Sequence, residues 1–201
     1  MSWEQLILRT GGLMSARELD ELAYWAEQAP GPALEVGHYT GLSTAALLSS
    51  LPADLKFITI DDHSWRDVPT GLFMENIAPF VGERYFVPMF DDYRGVLAKS
   101  QETLGFVFYD GPHSHDDCDK FWSLVEPLLQ PECLFLFDDA DWESMQRMGE
   151  NVEAAGFVRM NRQRLWRHRL GYTTGGEQAD FDLAKRHPDS YTLDVWKRNG
   201  E

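Results

Sequence analysis

The sequence predicts a single α/β domain built on a mostly parallel, seven-stranded sheet, and three observations carry that prediction. Short apolar runs alternate with amphipathic stretches at the spacing of βα units. The first of these runs ends in a glycine turn that feeds a helix. The last two strand-like segments have no crossover helix readable between them, so they are expected to pair antiparallel at one sheet edge. No repeat or low-complexity linker interrupts the 201 residues, and at 43% hydrophobic content that length fills one core and falls short of two.

Residues 1–30 read as a helical segment. Ser15 followed by Glu18 is a capping-box pattern, and Leu19, Leu22, Ala23, Trp25 and Ala26 then form one helical stripe. Residues 32–37 read as the first strand and 42–50 as the helix it feeds. Strands follow at 56–60, 84–90, 105–109 and 133–137, with helices between them, and the antiparallel pair is 157–162 with 191–197. The division is therefore a helical segment to residue 30, a binding core over 31–140, and a sheet edge with a flap over 141–201.

A formal net charge of −15 argues against a nucleic-acid partner, which would need Lys and Arg to neutralise phosphates, and in favour of small molecules. Glu4 and Arg9 break up the first ten residues before a leader-like apolar core can form. No later stretch approaches the ~20 apolar residues of a membrane helix, so a cytoplasmic protein without membrane contact is expected. Cys118 and Cys133 are too far apart for a C-x-x-C site and are expected as reduced thiols.

The most informative stretch is residues 34–43, LEVGHYTGLS. Gly37 and Gly41 allow positive φ or close backbone approach between strand and helix. The gap between them is wider than in the Gly-x-Gly-x-x-Gly dinucleotide fingerprint, and Glu35 stands just before the turn. A carboxylate there repels pyrophosphate but attracts a cation. One strand–helix unit later, FITI ends in Asp61, where a carboxylate can accept hydrogen bonds from both ribose hydroxyls. His38 reads as a structural neighbour of the turn, and His63 as a group touching either ligand or solvent.

The stretch EVGHYTGLS followed by Ile60-Asp61 closely resembles the first two motifs of class I S-adenosylmethionine-dependent methyltransferases. The resemblance runs over residues 31–140 and is strongest for a small O-methyltransferase-like branch whose fourth strand ends in Asp-Gly-x-His. It implies a Rossmann-like, doubly wound sheet and S-adenosylmethionine as cofactor. The cofactor would then be held by Glu35, Gly37, Tyr39, Gly41 and Ser43 beneath its methionine portion and by Asp61 at the ribose. Phe90 and Asp91 would border the adenine, and Asp110 would also touch the cofactor.

YDGPHSH over 109–115 follows the fourth strand and FDDA over 137–140 the fifth, so in an open α/β sheet both reach the carboxyl edge. Asp110, Asp138 and Asp139 would repel one another there unless protonated, hydrogen-bonded or neutralised, and Mg2+ is a cation with the matching oxygen preference. The bland alternative is that they cap helices and bind loop amides. The resemblance to catechol-type and sugar-modifying O-methyltransferases implies that the three Asp residues bind the metal. His113 stands where the catechol type often has a lysine base, and a neutral imidazole can take a proton near physiological pH. His113 and Asp110 are therefore the catalytic candidates, with His115 in reserve.

The expected reaction is metal-assisted O-methylation of a small hydroxylated molecule. Metal-independent O- or N-methylation and a non-catalytic regulatory protein that binds S-adenosylmethionine are the alternatives, with a nicotinamide-dependent reductase more distant. Trp65, Phe73, Trp142 and Trp166 fall in or near predicted loops, where they serve either an acceptor pocket or the core. The basic run over 159–169 reads as a charge-guarded strand edge, and the aromatic-rich N-terminal helix as a face for a homodimer.

Overall fold

The computed structural model describes residues 2–140, 142–165 and 191–198, so the expected flap, Trp166 and the end of the basic run lie outside the described residues. The elements in chain order are α1 (Trp3–Thr10), α2 (Ala16–Ala26), β1 (Ala33–Val36), α3 (Leu42–Ser50), β2 (Phe57–Ile60), α4 (Thr70–Val81), β3 (Phe86–Met89), α5 (Tyr93–Leu97), β4 (Leu104–Tyr109), α6 (His115–Val125), β5 (Leu129–Phe137), α7 (Glu143–Ala154), β6 (Phe157–Leu165) and β7 (Tyr191–Arg198).

They form the anticipated seven-stranded sheet, in the order β3-β2-β1-β4-β5-β7-β6. β1 to β5 run parallel, while β7 is antiparallel to both β5 and β6. The chain winds outward from β1 to β3, returns through α5, and starts again at β4. The strand order therefore reverses between β1 and β4, and the carboxyl ends of those two strands flank the crevice where open α/β sheets bind ligands.

Both faces of the sheet are covered, which is why β1, β2 and β4 are buried at every position and largely apolar rather than alternating. Phe106 and Phe108 of β4 pack with Leu19, Leu22, Ala45, Leu48 and Phe73 on the α1–α4 side. Val107 and Tyr109 pack with Phe121, Val125, Met145 and Met148 on the α5–α7 side. α3 is buried along nearly its whole length and carries no polar face. β3 ends the sheet, is only half-buried, and accommodates Pro88 as an edge strand can.

The capping box at Ser15 and Glu18 is present, and a second one, Ser2 with Gln5, starts α1 as a helix separate from α2. β5 starts four residues before the predicted 133, because Leu129 pairs with Leu104 ahead of a register shift in β4. Phe73, expected near a loop, is instead a fully buried residue of α4.

The β1–β4 junction is closed so tightly that Gly37 has no room for a side chain. Its φ is +89°, and a Cβ there would stand 2.0 Å from the backbone oxygen of Asp110. Gly37→Ala combines left-handed strain with a backbone clash, and is expected to cost about 3 kcal/mol or more in urea unfolding. A loss under about 0.5 kcal/mol would mean that this contact does not constrain the fold.

Candidate active site

Three loops meet at the carboxyl edge, beginning with the turn after β1. Gly37, Tyr39 and Gly41 all have positive φ, and the Gly41 amide donates to the His38 carbonyl at 2.7 Å. A Cβ on Gly41 would come within 2.7 Å of Ile77 and 3.1 Å of Phe73, so α4 packs directly beneath the turn. Both glycines are thus required by contacts with protein.

Glu35 lies wholly buried under this turn. Ser43 Oγ donates to its Oε1 at 2.6 Å, and Thr44 Oγ1 and Thr59 Oγ1 both donate to Oε2 at 2.7 Å. Burial pushes its carboxyl up to about 7, against the downward pull of the three hydroxyls, and Asp61 adds to the rise. Any attraction of Glu35 for a cationic ligand acts through space, since none of it reaches the crevice.

The second loop, after β2, carries Asp61, which is partly exposed. Its Oδ2 accepts from the Tyr39 amide and its Oδ1 from the His63 amide, each at 2.7 Å. The carboxylate is thereby fixed in orientation, with lone pairs left on both oxygens for hydroxyl donors. Phe90 and Asp91 close β3 nearby, both exposed, and Phe90 packs edge-on to His38 at 5.5 Å.

The third group follows β4 and β5. His113 stands between two acids: its Nε2 is 3.8 Å from Asp110 Oδ1 and its Nδ1 is 3.9 Å from Asp139 Oδ2. Asp110, His113 and Asp139 each offer a ligand atom, all within 4.8 Å of one another. Asp138 is not among the three. Its Oδ1 accepts from the Asp139 amide at 2.9 Å, and Asp139 has a φ of 52°. Sequence reasoning thus places the Asp110 and Asp139 carboxylates together, while in the third position of the cluster the structure has His113 where three aspartates were expected.

His113 Nε2 is buried without a hydrogen-bond partner among the described residues, and Trp142 lies 5.2 Å away, ring to ring. Burial holds the His113 imidazole down at about 4, with Asp117 pulling the other way, so it is neutral at pH 7. Trp65 is exposed and packs 5.3 Å from Tyr39.

The sequence reading did not find Thr44 and Thr59 as partners of Glu35, nor the coupling of His38 to His63 at 2.9 Å. One signal was present: Thr59 is the only hydroxyl inside the apolar strand FITI, and a buried hydroxyl needs a partner.

The fold is an open, doubly wound α/β sheet with a crevice at its strand-order switch. The model of a family described as a methyltransferase domain matches residues 34–140, more than half of the chain, and the chain belongs to that family. It is a methyltransferase. Among solved structures, an O-methyltransferase from Bacillus cereus in complex with SAH superposes with a TM-score of 0.69 at 12% identity, covering 98% of this chain and 90% of that one. An O-methyltransferase of tomaymycin synthesis from Streptomyces achromogenes, in complex with SAM, gives 0.66 at 14%, covering 96% and 88%. A SAM-dependent O-methyltransferase from Thermotoga maritima gives 0.66 at 13%, covering 100% and 73%. At such identities the likeness is one of fold. Comparison with curated proteins finds no match.

The raised Glu35 carboxyl links stability to pH. A carboxyl whose folded value exceeds the ordinary 4.5 favours the fold fully below that pH and loses the contribution as pH climbs through about 7. That loss is on the order of 3 kcal/mol between pH 4.5 and 8. Urea unfolding of Glu35→Gln across this range should lack that part of the slope, and a slope equal to that of the unmodified protein would contradict the assignment.

Proposed function

We propose that this methyltransferase takes its methyl group from S-adenosylmethionine and transfers it to a hydroxyl oxygen of a small molecule, assisted by a divalent cation. The observation that carries this reading is the Asp110, His113 and Asp139 cluster, set at the crevice that Asp61 and the glycine turn also border. The solved O-methyltransferases of like fold support the choice of cofactor.

The residues present fit both groups. Asp61 offers two oriented oxygens to the ribose hydroxyls, and Phe90 offers an exposed ring face to the base. Asp110 and Asp139 are hard oxygen donors, and His113 Nε2 is a buried nitrogen in need of a partner. A cation held there would lower the pKa of an acceptor hydroxyl and fix its position. Because a sulfonium carries its own leaving group, the protein's work is alignment of the acceptor and removal of its proton.

In this scheme Asp110 and Asp139 hold the cation. Asp138, through the Asp139 amide, sets the bend that aims the Asp139 carboxylate into the cluster. His113, neutral at physiological pH, would receive the acceptor's proton at a ring nitrogen. Trp142 beside it bounds the acceptor. The strongly acidic composition favours neutral or cationic small acceptors over nucleic acid.

A second reading keeps the cofactor and dispenses with the cation. It is favoured by the neutral His113, which needs no metal to act as a base. Titration calorimetry with S-adenosylhomocysteine should give binding that Asp61→Asn weakens at least about tenfold, the loss of one charge-assisted contact. No affinity in the unmodified protein would remove the cofactor assignment. In a turnover screen against small phenols and sugars, Asp139→Asn should lower kcat by about 100-fold and chelator should abolish turnover. Full turnover in chelator decides for the metal-free reading.

A further inference from the structure

Outside the Asp110 cluster, a second set of metal-binding side chains meets at the ends of β1 and β2. His38 Nε2 faces His63 Nε2 at 2.9 Å, and together with an oxygen of Asp61 they form three donors all within 4.8 Å of one another.

Two of the three, His38 and Asp61, are held from behind. Thr59 Oγ1 donates its proton to Glu35, so with Glu35 ionised it can only accept from His38, at 3.0 Å. In that state the His38 proton sits on Nδ1, and the Nε2 lone pair points at His63. An imidazole anchored through its far nitrogen to a buried carboxylate system is the arrangement that orients metal-bound histidines. His38 is 1% exposed and its ring stacks on Phe73 at 4.0 Å, which fixes the plane of the imidazole. Asp61 is fixed by two backbone amides, and the left-handed φ of 56° at His63 belongs to the bend that turns the chain back toward His38.

We propose that His38, His63 and Asp61 form a binding site for a borderline transition-metal ion such as Zn2+, and that an ion there competes with the adenosyl ligand for Asp61. The second half rests on the reading of Asp61 as the ribose acid. Two nitrogens and one carboxylate oxygen suit Zn2+, Cu2+ or Ni2+ better than Mg2+. Tetrahedral ligation at about 2.0–2.1 Å requires the two nitrogens to stand about 3.3 Å apart, so the rings separate by a few tenths of an ångström. His63 carries its proton on Nδ1 in that state, freeing Nε2, and a fourth position stays open to water.

The test is calorimetry with ZnCl2 in a non-coordinating buffer, on full-length protein carrying Asp110→Asn and Asp139→Asn so that the other cluster cannot take the ion. One ion per chain should bind, and adding His63→Asn should weaken it at least about tenfold. Asparagine tolerates the left-handed backbone, which keeps the variant foldable. No binding, or equal affinity with and without His63, overturns the site. A readout that needs no further variant is Co2+ absorption: four-coordinate, imidazole-rich ligation gives intense visible bands, and a nearly colourless octahedral spectrum overturns the donor set. Saturating S-adenosylhomocysteine should weaken Zn2+ binding at least about tenfold, and Zn2+ should weaken that compound's binding by the same factor. If both bind and neither affects the other, competition is overturned. If Zn2+ binds and the adenosyl compound does not, the ribose role of Asp61 fails while the metal site stands.

Discussion

The structure depends most on the contact between Gly37 and the carbonyl of Asp110. It joins the end of β1 to the end of β4 across the reversal of strand order, where the first half of the sheet meets the second. The Asp110 amide donates to Val36 and the Gly37 amide to Ile60, so one residue pair registers three strand ends. The turn that borders Asp61 and the loop that carries His113 are consequently fixed relative to each other by backbone. Loops built on long side chains could not hold two reacting partners with the same tolerance.

Within that frame, carboxylates of one chemical type are put to different uses by their surroundings. Glu35 is buried among hydroxyls and titrates near neutrality. Asp61 is half in solvent and tied by amides, which leaves it able to receive hydroxyl donors. Asp110 and Asp139 flank the neutral imidazole of His113, 3.8 and 3.9 Å from its two ring nitrogens. The last environment is the one on which the proposed cation rests, and a net charge of −15 favours cations around the protein as a whole.

The parts legible in the sequence were those in which one residue type has one physical use. The Gly37 and Gly41 turn, the helix over 42–50, the apolar strands and the capping box at Ser15 were all readable from local pattern. The antiparallel closure was legible because no helical period stood before the last strand. What remained hidden depends on partners far apart in the chain. Thr59 meets Glu35 only because β1 and β2 pair in register, Glu35 opposite Thr59. Phe73 looked like a loop residue because α4 contains Pro79 and lacks a side-chain cap, so its pattern is weak although Phe73 is deeply packed. That His113 rather than Asp138 stands with Asp110 and Asp139 depends on how the loops after β4 and β5 meet, which two adjacent aspartates do not announce.

The inward turn of Ser43 and Thr44 has a further consequence for the helix they begin. Serine and threonine near a helix start ordinarily serve the first free amides. Here both hydroxyls are committed to Glu35, and α3 begins at Gly41 without a side-chain cap. No side chain caps the opening amides of this buried helix, whose start carries the partial positive charge of the helix end. A ligand that joins a cationic centre to a carboxylate, as the proposed amino-acid sulfonium does, would suit both features: its carboxylate would meet the helix start and its positive charge the field of Asp61 and Asp110. The pyrophosphate of a dinucleotide would suit the amides but would oppose the carboxylates around them.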